Sequence, residues 1–78
     1  MGTKNNPGKF DCYHAAAPDE PMFILLARDA HAPLIVEAWA NNREDAINRG
    51  FHPESDRAKV VEARQCADAM RAWRKANR

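Results

Sequence analysis

The fold turns on the stretch "PDEPMFILLARDAHAPLIVEAWA", Pro18 to Ala40. Pro18, Pro21 and Pro33 bracket six consecutive apolar residues, Met22 to Ala27, with Arg28 and Asp29 directly behind. A run of about six bounded by proline turns fits a strand buried on both faces better than a helix of ten or more. It is far short of the ~20 residues needed to span a bilayer. Upstream, "KFDCYH" (Lys9 to His14) alternates Phe10 and Cys12 with Lys9, Asp11 and Tyr13 at period two, a second strand signal. "AAAPDEP" between them reads as a turn. Together these predict an antiparallel β-hairpin with a wide loop, which is marginal in water unless something packs on it.

Downstream of Arg28 the period changes. Asp29 is placed to cap a helix and Pro33 suits its opening turn, where a missing N–H costs little. Ile35, Ala38, Trp39, Asn42 and Ala46 follow helical spacing, with Leu34 and Ile47 widening the stripe. Gly50 followed by Phe51 has the signature of a Schellman end, and Pro53 falls just beyond the stop. Ser55 is a candidate N-cap for a second helix, whose apolar face is Val60, Ala63, Cys66, Ala67, Met70 and Trp73. Its last turn holds Arg71, Arg74, Lys75 and Arg78. The expectation is an α+β fold of order ββαα: a short two-stranded antiparallel hairpin covered by an antiparallel pair of helices. Residues 1–8, "MGTKNNPG", read as a flexible tail and residues 9–78 as a single small domain.

Composition sets further limits. The chain has 78 residues, and although 45% are hydrophobic, much of that share is alanine. Chains of this size usually add a disulfide, a metal or a partner subunit to reach ordinary stability. No segment resembles a secretory signal, so a cytoplasmic location is expected, with Cys12 and Cys66 reduced and buried. Homo-oligomerisation is then the expected aid to stability, with Trp39 and Trp73 large enough to anchor an interface. Twelve basic and eleven acidic residues give a net charge of +1. That balance disfavours a protein held to nucleic acid by bulk charge, and no membrane association is expected.

"PGKFDCY", "PDEPMFILLARD", "AP" and "EAWA", with "VVEARQCADAMRAW" near the end, resemble a group of small phage and prophage proteins. The likeness covers roughly residues 7 to 74, and "FDCY" and "PDEPMF" are its most particular pieces. The resemblance implies a setting: an accessory protein made by a phage inside a bacterial cell, countering or modulating host defence or regulation by binding. It assigns no role to any single residue.

No Gly-rich phosphate loop, nucleophile elbow, His-Glu-x-x-His or Cys-x-x-Cys pattern occurs, and no enzyme activity and no cofactor are expected. Cys12, His14, His31, His52 and Cys66 lack the close pairing of a zinc site, so no metal is expected. The candidate binding residues are Lys9, Tyr13, Glu20, Arg28 and Asp29. Arg28 stands beside a helix N-terminus, where backbone N–H groups favour an anion, and its fork suits a phosphate or carboxylate. The plainer alternative is a strand-end arginine paired in water with Asp29 or Glu20. Tyr13 faces away from Phe10 if the alternation holds, and with Lys9 it could stack a base. Arg57, Arg64, Arg71 and Arg78 recur every seven residues; this basic stripe reads as a solvated face, with Arg64 and Asp68 an i,i+4 pair. A host protein is the expected partner. A nucleotide signal of host immunity, bound at Tyr13 and Arg28, is the alternative, and a nucleic-acid regulator the third.

Overall fold

A computed structural model describes residues 1–77 of the chain. Among them there is no strand, and the fold is all-helical: α1 (Cys12–Ala15), α2 (Ala32–Asn48) and α3 (Arg57–Ala76). The expected ββαα fold is therefore wrong in its first half. Asp11 decides the first "strand": its carboxylate accepts a hydrogen bond from the Tyr13 N–H at 2.9 Å, capping a single helical turn that Ala15 ends. That local bond outweighs the β preference of the flanking aromatics. Met22 to Leu26 run outside any helix with nothing to pair against, so the segment wraps the helices as a strap.

Both long helices are present. Asp29 stands one turn outside α2, where its carboxylate holds the His31 N–H at 2.9 Å and its carbonyl the Ala32 N–H at 3.1 Å. It organises the entry turn, but the N-cap is His31, whose side chain makes no capping bond. Pro33 sits in the opening turn as expected. At the other end Gly50 takes φ +82°, its N–H bonds to the Ile47 carbonyl and the Phe51 N–H to that of Ala46. That pair of bonds is the Schellman closure. Ser55 does not cap α3; it lies within a 3-10 turn, Glu54–Asp56, that leads from Pro53 straight into the helix.

The helices pack antiparallel along a seam of small residues. Ala40 and Ile47 of α2 meet Val60 and Ala63 of α3, with Val36 and Met1 packed against this cluster, and Ala32 of α2 and Ala67 of α3 are buried as well. On α2 this is not the expected stripe. Ile35 and Trp39 lie on its flank and stay partly exposed, as does Leu34. Periodicity weighted by size points to the large residues, whereas two backbones that approach closely select alanine. On α3 the expected face is met by Val60, Ala63 and Ala67, while Trp73 is about half exposed. Val60 is the largest side chain that is fully buried.

The heptad arginines are not a free solvated face. Arg57 donates to Asn48 (2.9 Å) and Glu54, Arg64 to Asn41 (2.9 Å) and Glu44 (3.2 Å), and Arg71 to both carboxylate oxygens of Glu37. Glu37, Asn41, Glu44 and Asn48 step along α2 by four, three and four, matching the sevens of α3. Asp68 pairs with Arg71 at 3.5 Å, not with Arg64. Arg78, the fourth member of the stripe, lies outside the described residues.

Candidate functional site

Two concavities flank the helical pair. The larger, about 750 Å³, lies between the strap and the helices, and Tyr13, Met22 to Leu26, Val36, Cys66 and Met70 line it. It is mainly apolar, with Lys4, Asp11 and His14 as its polar edge. The Tyr13 and His14 rings meet edge-on at 5.7 Å. Its wall is held near the first residues by the Met1 ammonium, 2.7 Å from Glu62 Oε1. That buried oxygen has no well-aligned hydrogen bond. Gly8 sits against the same place, and a β-carbon there would strike the Glu62 carboxylate and the Met1 carbonyl.

The smaller concavity, about 600 Å³, is at the end where α2 starts and α3 finishes; Ala30, Pro33, Leu34, Arg71, Arg74 and Lys75 line it. Arg74 donates to the Arg28 carbonyl at 2.6 Å, tying the strap's end to α3.

Of the candidate residues from the sequence, only Tyr13 lines either concavity. Tyr13 belongs to the apolar cleft and is 63% exposed as a residue. Lys9 leans on the Phe10 ring, which Lys59 covers at the same distance of 5.7 Å. Glu20 accepts from the Ala17 N–H at 3.1 Å and closes the loop before the strap. Asp29 serves the entry to α2, with His31 Nδ1 a further 3.4 Å from its carboxylate. Arg28 pairs with neither acid, so the plain ion-pair alternative does not hold. Arg43, Arg49, Arg57, Arg64 and Arg71 each meet a carboxylate; the Arg28 guanidinium meets none among the described residues. Tyr13 and Arg28 do not share one concavity.

The cysteines differ from expectation. Both are free, but Cys12 is exposed on α1 and only Cys66 is partly buried. Burial pushes the Cys66 thiol above its ordinary value, opposed by the N-terminal ammonium. Among the described residues no three His, Cys, Asp or Glu side chains group as a metal site requires. Sequence reasoning missed Val36, Cys66 and Met70 as cleft residues, since their apolarity marks them only as core. Glu37, Asn41, Glu44 and Asn48 carried a usable signal in their heptad steps.

Compared with known protein families, curated proteins and solved structures, the chain has no significant match. No helix is long and apolar enough to cross a membrane among the described residues.

Proposed function

We propose that the chain binds a nucleotide-like anion, a phosphate on Arg28 and a base against Tyr13, and thereby sequesters a signal of host immunity. The setting is the one implied by the resemblance to small phage accessory proteins. One observation carries this reading. Arg43, Arg49, Arg57, Arg64 and Arg71 are engaged with carboxylates and Arg74 with a backbone carbonyl, whereas the exposed Arg28, at the entry to a 17-residue helix, meets no acid among the described residues. An unpaired fork of this kind is the natural partner of a phosphate. The Tyr13 ring is open to stacking. Because the two residues lie apart, the ligand has to reach from the cleft to the strap's end. Native mass spectrometry of protein purified from cells is expected to show a co-purifying mass of several hundred daltons. Arg28→Ala and Tyr13→Ala should each lose it; retention in both variants sinks the reading.

A second reading is favoured by a different observation. Phe23 is 86% exposed, and Met22, Ile24 and Leu26 are each at least half exposed. Contiguous apolar surface of this kind marks protein interaction sites. Here the chain would act by holding a host protein on the strap. A photo-crosslinking residue in place of Phe23 should then capture one defined host protein, and Phe23→Ser should weaken the purified pair at least about tenfold. Arg28→Ala should leave that pair unchanged, which separates the two readings.

A further inference from the structure

We propose that the strap docks antiparallel on the strap of a second copy, forming a two-fold homodimer centred on Ile24. No backbone N–H or C=O of Met22 to Leu25 is hydrogen-bonded to another described residue. An apolar run outside any helix, with free backbone groups, can serve as the template on which another chain pairs. The sequence chooses which chain. Reflected about Ile24, Met22 faces Leu26, Phe23 faces Leu25 and Glu20 faces Arg28. The acid that precedes the run thus meets the base that follows it, twice by symmetry. Arg28 has five N–H donors, so one edge can hold this carboxylate while the other stays open. The inference goes beyond the nucleotide reading and does not depend on it.

Pro21 fixes the parity of the pairing. It has no N–H, so it must occupy a non-hydrogen-bonded position, opposite Ala27. Ile24 then falls in a hydrogen-bonded pair with its own copy, each N–H bonding to the other carbonyl, and the Leu26 N–H reaches the Met22 carbonyl across the axis. The Leu26 carbonyl stays with the Asp29 N–H, as in the single chain at 3.0 Å. Phe23 and Leu25 fall in the close pair. This sets the most exposed side chain of one copy over the half-buried Leu25 that lines the cleft of the other. The occupant of the cleft's open side is therefore Phe23 of the second copy. The need for such burial is plain, since Val60 is the largest fully buried side chain while Met22, Phe23, Ile24 and Leu26 lie open.

The test uses the full chain in a Cys12→Ser, Cys66→Ala background, with far-UV circular dichroism checking that each variant keeps its helices. Sedimentation should show a dimer at tens of micromolar. Phe23→Ser and Ile24→Pro should each weaken it at least about tenfold, and Phe51→Ser, equally apolar but off the strap, should not. Glu20→Arg and Arg28→Glu should each weaken it, and the double reversal should restore it. Under mild oxidation Ile24→Cys should cross-link with itself, and Met22→Cys should cross-link with Leu26→Cys at least about tenfold faster than with itself. A monomer at tens of micromolar, or a dimer whose cross-linking ignores this register, overturns the proposal. Neither outcome touches ligand capture by Arg28 and Tyr13, which is read by mass.

Discussion

At Arg28 the main chain is held and the side chain is not. Its carbonyl accepts from Arg74, while its guanidinium meets no carboxylate among the described residues. Removing the side chain therefore costs the fold little: Arg28→Ala should lower the unfolding free energy from urea titration by less than about 0.5 kcal/mol. Arg28→Lys should recover only part of any ligand binding lost, because an ammonium lacks the two-point fork. The two thiols give a second contrast at this scale. Cys12 is exposed, and Cys66 is partly buried with its thiol pushed up, so less of it is thiolate near neutral pH. Iodoacetamide should label Cys12 about tenfold faster or more; equal rates would mean that the cleft wall opens readily. Arginine beside a helix entry was legible as a candidate anion site from type and position alone. The fate of Asp29 and Glu20 was not, because both take local backbone partners that no spacing rule announces.

Among the elements, the connection between α2 and α3 was the most legible part of the fold, since a Schellman end is written in adjacent residues. Gly50 at φ +82° has open space where a β-carbon would go. The cost of Gly50→Ala is therefore backbone strain alone, and the unfolding free energy from urea titration should fall by about 1 kcal/mol. At the seam the opposite holds. Ala63 is fully buried against α2, and Ala63→Leu should destabilise by about 1–3 kcal/mol or more through overpacking; a neutral result would show a looser seam. The helices themselves could be read because period and breakers agree over many residues, although neither Asp29 nor Ser55 is the N-cap. The hairpin could not. A strand exists only with a partner, and the alternation at Phe10 to Tyr13 was overruled by one Asp11 hydrogen bond. The face of α2 was misjudged for a related reason: Trp39 finds its partner in the Arg43 guanidinium at 5.1 Å, not in the core.

For the molecule as a whole, a small seam is supplemented by charge. Hydrogen bonds from Arg71 hold the Glu37 carboxyl below its ordinary 4.5, and those from Arg57 do the same for Glu54. Both groups bind protons more weakly in the folded chain than in the unfolded one. Their contribution is thus complete above about pH 4.5 and is lost as pH falls through the depressed values. Thermal melts should show stability flat from pH 7 to about 5 and dropping below about 4. Added salt should also lower the melting temperature, since these pairs are exposed; a salt-independent melt would mean that the ladder is structurally idle. The near-zero net charge acquires a meaning here that composition did not reveal, because opposite charges are consumed between the helices. The ladder also has a property of a ruler with evenly spaced marks and no zero. Its steps repeat every seven residues, so sliding α3 by one heptad, about 10.5 Å along the axis, would re-engage most of the same kinds of partner. Arginine and carboxylate therefore fix the phase of the two helices but not which mark meets which. The origin is supplied by the short connection from Gly50 to Pro53, and a few glycines inserted there would leave the ruler readable at more than one place, including on the helix of another molecule.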